Sequence, residues 1–257
     1  MLKYIIILVS IITTTSFSQD KWNPQNLKNQ IGKFVDTTFE VSINHNLPNY
    51  IIRYREYYMA GDISPDLGIT YFRVDISRSN IDTILQTIES SSDVPGGPTN
   101  YDYGFNDVGL KGMFVDYNFD GYKDIRFNYT SGANAYAVNQ FYYIFLYNPL
   151  RKDFEINDSF SDLCNPIPFP KEKIIRTYRR ELSFDREWDV DTYHWENKKL
   201  ILTRTDYFKI KDENSFDSLG WDKSNFLRYI DYYKDNHIIK SDSAVIKGNN
   251  IPELYRY

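Results

Sequence analysis

Between Gln140 and Tyr147 the sequence QFYYIFLY leaves an extended chain almost no face for water. Phe141, Tyr143, Phe145 and Tyr147 fall on one side, and Tyr142, Ile144 and Leu146 on the other. Such a segment must be covered on both sides, which predicts a central strand inside a layered sheet protein. The turn Asn148-Pro149-Leu150-Arg151-Lys152 and a strand from Phe154 follow it, so the segment opens a hairpin. Period-two alternation rich in Tyr, Phe, Ile and Val recurs at 33–41, 50–58, 69–76, 83–88, 112–115, 125–129, 138–147, 174–182, 191–195 and 200–208. The chain therefore reads as all-β, an antiparallel β-sandwich or open barrel with long surface loops. The run SSSDVPGGPTN from Ser90 to Asn100 predicts one of those loops. No repeat of fixed period occurs, which counts against a propeller or solenoid. The spacing in Asn225–Asp235 and in Ile81–Glu89 is also compatible with a short helix in each.

Forty-four of the 257 residues are aromatic (23 Tyr, 17 Phe, 4 Trp), enough to bury a substantial core and to exclude a wholly disordered chain. The net charge of -5 argues against nucleic-acid binding. The only cysteine is Cys164, and His45, His194 and His237 are scattered, so neither a disulfide framework nor a Cys/His zinc site is expected. A metal held here would be a hard cation on oxygen ligands. Lys3, the apolar run Tyr4–Ile12 and the stretch ending Ser16-Phe17-Ser18 read as a signal peptide over residues 1–18, with a single β-rich domain over 19–257. Export to the periplasm or the extracellular space is expected, without a membrane span and without a lipid anchor, because Cys164 lies far from the cleavage region. Calcium is available in those compartments to stabilise a chain that lacks disulfides.

The most specific motif is Asp116-Tyr-Asn118-Phe-Asp120-Gly121-Tyr122-Lys-Asp124, a D-x-N-x-D-G-x-x-D pattern. Calcium takes six to eight oxygens at about 2.3–2.6 Å, and alternate residues of a tight loop turn their oxygens inward. Asp116, Asn118 and Asp120 would give side-chain oxygens, Tyr122 its carbonyl, and Asp124 a carboxylate directly or through water; Gly121 makes the sharp turn. Position twelve is Phe127 where a helix–loop–helix site carries a bidentate Glu, and the flanks Met113–Val115 and Ile125–Phe127 look like strands. The expectation is a calcium-loop hairpin whose Ca2+ is structural and weakly held, about 0.1–1 mM. The competing reading is an Asp/Asn-rich turn with no metal.

The order of these features resembles a known family. Gln86-Thr87-Ile88 is followed by Phe114-Val-Asp-Tyr-Asn-Phe-Asp-Gly-Tyr-Lys-Asp-Ile125, the Ser131-Gly132 turn, the aromatic strand Tyr142–Tyr147, the Phe154 strand and Asp191-Thr-Tyr-His-Trp-Glu-Asn-Lys-Lys-Leu-Ile201. Over residues 83–204, about half the chain, this is similar to exported bacterial calcium-loop β-sandwiches of the kind that inhibit invertebrate-type lysozyme in the periplasm. The resemblance implies a protein-binding module rather than an enzyme. Its partner would be a lysozyme-like protein or peptidoglycan hydrolase, met as an inhibitor or as an immunity protein. It also implies a partner-binding turn at Ser131, Gly132 and Tyr136. Here that turn reads Ser131-Gly132-Ala-Asn-Ala-Tyr136, one residue longer than the Ser-Gly-x-x-Tyr of the inhibitors, and a plain hairpin turn with Tyr136 as an ordinary aromatic is the alternative. The acidic balance suits steering toward basic lysozymes.

Other constellations have plainer explanations. Asp185, Glu187, Asp189 and Asp191 would share one strand face, where paired carboxylates serve glycoside hydrolysis, but a solvated charged edge is the expected reading. The basic stretch Lys171–Arg180 reads as a solvated strand face, and Cys164 as a buried thiol. There is no H-E-x-x-H, G-x-S-x-G or Gly-rich phosphate loop. The alternative function is a carbohydrate-binding module, which an exposed line of Trp188, Trp195 or Trp221 beside a groove would support.

Overall fold

The computed structural model describes residues 31–60, 68–81, 83–92, 113–131, 139–180, 187–211 and 223–251. They form fourteen strands: β1 Ile31–Val41, β2 Tyr50–Ala60, β3 Gly68–Arg78, β4 Ile84–Ser92, β5 Phe114–Val115, β6 Asp124–Ser131, β7 Gln140–Asn148, β8 Asp153–Ile156, β9 Ile167–Phe169, β10 Ile174–Arg180, β11 Glu187–Glu196, β12 Lys199–Ile210, β13 Asn225–Lys234 and β14 His237–Lys247. Every pairing is antiparallel. The strands build an N-terminal sheet in the order β1-β2-β3-β4, a central sheet β5-β6-β7-β8 and a C-terminal sheet β14-β13-β12-β11-β10-β9. Each order is open, so none closes into a barrel, and the all-β class expected from the alternation is the class observed.

β7 occupies the central place its sequence demands. Tyr143, Phe145 and Tyr147 join a core with Tyr50, Ile52, Tyr54, Phe72 and Val74 of the N-terminal sheet. On the opposite face Tyr142, Ile144 and Leu146 join a second core with Ile175, Tyr193 and Trp195 of the C-terminal sheet. Each fully buried Phe or Ile in these layers contributes about 1.5–3 kcal/mol relative to exposure. The segment at Cys164 stitches the central and C-terminal sheets through main-chain contacts. Cys164 bridges Phe141, its carbonyl accepts the Tyr178 N–H at 3.0 Å, and Asn165 N–H donates to the Gln140 carbonyl at 2.8 Å. Burial pushes the Cys164 thiol up to about 12, so it is a packing group at neutral pH. A third core, with Trp188, Phe208 and Phe226, lies on the far face of the C-terminal sheet.

Both segments compatible with helices are strands. Ile84–Ser92 pairs with β3, and Asn225–Lys234 lies hydrogen-bonded between β12 and β14. The spacing of Phe226 and Ile230, both buried, imitates a helical stripe, yet it also fits period two on a sheet face. The hairpin that follows explains the choice: Lys234 pairs with His237, and Asp235 and Asn236 take φ of 50° and 62°, the conformation of a type I′ two-residue turn. Asn197 and Lys198 do the same between β11 and β12 with φ of 51° and 62°. The loop expected from Ser90 starts later, because β4 continues to Ser92; residues 93–100 lie outside the described residues. So does the signal-peptide segment 1–18. No described helix is long and apolar enough to cross a membrane.

Candidate metal loop

The motif is a hairpin loop between β5 and β6, closed by the pairs Phe114–Ile125 and Val115–Asp124. Its residues divide their labour by chemistry. Tyr117 enters the core between the central and C-terminal sheets, wholly buried and edge-on to Phe160 at 5.6 Å, and Phe119 packs against the same cluster. Tyr122 packs against the other core, with its ring 5.2 Å from Tyr147. The aromatic residues thus anchor the loop in both cores while Asp116, Asn118 and Asp120 fold over its main chain.

Those polar side chains are held by backbone donors. Asp116 accepts the Asp120 and Gly121 N–H groups at 3.2 and 2.9 Å, Asn118 accepts the Asp120 N–H at 3.2 Å, and Asp120 accepts the Tyr122 N–H at 2.9 Å. The Asn118 amide also donates to Asp120 at 3.0 Å. This gathering requires a backbone that turns left-handed twice, at Phe119 with φ 59° and at Gly121 with φ 87°. Glycine meets that need without a Cβ penalty, whereas Phe119 is tolerated because its ring is packed. Burial raises the Asp116 pKa, and the nearby Asp120 charge adds to the rise against the hydrogen bonds from the loop amides.

Asp124 differs from its neighbours. It is fully buried, and its two oxygens accept the Tyr117 N–H at 2.7 Å and the Tyr147 N–H at 2.9 Å, tying the loop to β7. Burial pushes its pKa up to about 8 in spite of those two bonds, with Asp120 and Asp116 adding repulsion. The oxygen donors present fit a hard cation: carboxylates from Asp116 and Asp120, the Asn118 amide oxygen and the carbonyl of Tyr122, with Asp124 bracing the loop from behind. Among the described residues, no cluster of three His, Cys, Asp or Glu side chains with the geometry of a metal site stands out.

Sequence reading missed Asn44. In the β1–β2 connection its amide donates to the Gly121 carbonyl at 2.7 Å, and beside it the Lys123 N–H donates to the Ile43 carbonyl at 3.0 Å. The Asn44–Gly121 contact spans 77 residues, so the local composition marks Asn44 only as a turn residue.

Of the partner-binding turn, Ser131 ends β6 opposite Gln140, while Gly132 and Tyr136 lie outside the described residues. The acidic row is not an edge. β11 lies between β10 and β12, and each carboxylate there has cross-strand company. Lys209 meets Glu187 at 2.7 Å, Arg179 meets Asp189 at 3.1 Å, and the Thr205 hydroxyl donates to Asp191 at 2.6 Å. The Tyr207 hydroxyl also donates to Glu187; Asp185 lies outside the described residues. Trp188 is 1% exposed, stacked on Phe208 at 4.8 Å. Trp195 is half-buried against Phe160, and Trp221 lies outside the described residues. All three histidines are exposed and far apart in the strand order.

No family model matches the sequence, and no curated protein matches it either. Among solved structures, one described as that of a Xanthomonas type IV secretion system related protein is similar at 15% identity and a TM-score of 0.49, over 82% of this chain and 100% of that one.

Proposed function

We propose that the chain is an exported, calcium-stabilised protein-binding module that captures a lysozyme-like glycan hydrolase, as its inhibitor or as an immunity protein against it. The observation that carries the reading is the loop 116–124, an oxygen-only donor set held by its own amides and anchored in two cores. A cation there would relieve the mutual repulsion that Asp116, Asp120 and Asp124 exert. The capture role rests on the resemblance of residues 83–204 to lysozyme inhibitors and on the acidic balance of the chain. A binder is favoured over a glycosidase because the carboxylates of β11 are engaged by Lys209, Arg179 and Thr205. It is favoured over a sugar-binding module because Trp188 is inside the fold, where it offers no stacking surface.

The test is titration of the mature chain, in millimolar calcium, against an invertebrate-type lysozyme and a panel of other peptidoglycan hydrolases. The reading predicts saturable binding with loss of hydrolase activity for at least one of them. Binding to none of the panel would remove the capture role, and cleavage of peptidoglycan by the chain alone would replace it with an enzyme.

A further inference from the structure

The far face of the C-terminal sheet carries a cavity of about 270 Å³ whose lining includes Arg176, Arg204, Arg228 and Asp206. Strand register brings these residues together from three strands. Arg176 of β10 and Arg204 of β12 both pair with Thr192, and Arg228 of β13 pairs with Phe208. Asp206 accepts from Arg204 at 2.7 Å and from Arg228 at 2.7 Å, and it is the one carboxylate among the described residues of the lining. Three guanidiniums, each carrying several N–H donors, and one carboxylate thus stand side by side among the described residues of the lining.

The guanidiniums are also held in place. Arg228 lies over the Phe208 ring at 5.6 Å, Arg204 over Tyr232 at 5.7 Å, and Arg176 over Phe169 at 4.6 Å. The side chains of Arg204 and Arg228 keep 32% and 28% of their surface open, so they are partly dehydrated but reachable. Fixed, half-dry guanidinium forks match carboxylate and phosphate oxygens. Phe208 and Ile246 give the same cavity an apolar wall. Its volume lies just below the range of about 300–1,000 Å³ typical of ligand pockets, which selects a small occupant.

We infer that this cavity is a binding site for a small organic oxyanion, its carboxylate or phosphate set among Arg176, Arg204 and Arg228 and its apolar body against Phe208 and Ile246. No residue of the metal loop is in its lining, so binding there is expected without calcium. The strand face expected to be merely solvated at Arg176 is one wall of it.

The experiment uses the mature chain in EDTA at constant ionic strength, titrated with inorganic phosphate, acetate, phenyl phosphate and benzoate against a chloride control. Arginine Nε–H resonances read binding in the wild-type protein, and calorimetry gives the affinities. Expected are saturable shifts confined to the three cavity arginines and tighter binding of the aromatic anions than of acetate or inorganic phosphate. Phenyl phosphate against benzoate then decides between a phosphate and a carboxylate ligand. Arg176→Gln is expected to weaken binding about tenfold, and Arg176→Lys less. Shifts spread equally over surface arginines, no saturation beyond chloride, or unchanged affinity in Arg176→Gln would each overturn the inference; should that variant not fold, the wild-type resonances decide alone.

Discussion

Two stretches set acidic or amide side chains at alternate positions, the loop from Asp116 to Asp120 and the strand from Glu187 to Asp191, and the backbone gives them opposite fates. In β11 the extended chain lays Glu187, Asp189 and Asp191 along one face, where neighbouring strands supply Lys209, Arg179 and Thr205. In the loop, left-handed turns at Phe119 and Gly121 fold Asp116, Asn118 and Asp120 onto backbone amides. The first arrangement is settled by two cations and a hydroxyl on the neighbouring strands. The second gathers negative charge that, among the described residues, amide dipoles offset, which is the condition for attracting a cation. Alternation of polar residues therefore says little about chemistry until the φ angles between them are known.

Removing the carboxylate behind the loop should break the comparison most strongly. Asp124→Ala leaves two buried amides, of Tyr117 and Tyr147, without their acceptor, and is expected to cost about 2–4 kcal/mol in urea unfolding. The same residue gives the two clusters opposite pH behaviour. With a folded pKa near 8 against about 3.9 unfolded, Asp124 holds its proton more tightly in the native state. In EDTA its contribution to stability therefore declines as pH rises from about 4 to about 8, and the slope should vanish in Asp124→Ala. Glu187 is held below its ordinary value by Lys209 and Tyr207, so its contribution is complete above about pH 4.3 and is lost as pH falls through the lower folded value. Unfolding curves across pH for Asp124→Ala and Glu187→Gln separate the two.

The next effect concerns calcium itself. For a site of about 0.5 mM, 5 mM calcium should stabilise the wild type by about 1.4 kcal/mol over EDTA and Asp120→Ala by almost nothing. Coincident wild-type curves would reduce the loop to a turn. The smallest effect belongs to β11: Asp189→Asn should change stability by less than about 1 kcal/mol and leave the calcium response intact, because its Arg179 partner is largely exposed.

Much of the fold was legible because period two survives in sequence whatever the sheets do later. β7 could be placed in the middle from seven side chains, since no other position covers both of its faces. β13 was ambiguous because aromatic residues at mixed spacings satisfy helix and strand alike, and the turn at Asp235-Asn236 had to decide it. The loop was legible as a donor set, since its ligand types are contiguous. Its support was not: Asn44 and Tyr147 act across 77 and 23 residues, and only the packing of sheets brings them near. The arginine cavity was equally hidden, because Arg176, Arg204 and Arg228 become neighbours through strand register alone.

The tie between the Asn44 connection and Gly121 also has a kinetic consequence. Contacts between segments so far apart in sequence carry a loop-closure cost and are expected to close late in folding. A cation gripping this loop is therefore expected to leave the folding rate nearly unchanged and to slow unfolding, extending the lifetime of the native protein rather than hastening its formation. Refolding and unfolding rates measured with calcium and with EDTA would read that division directly.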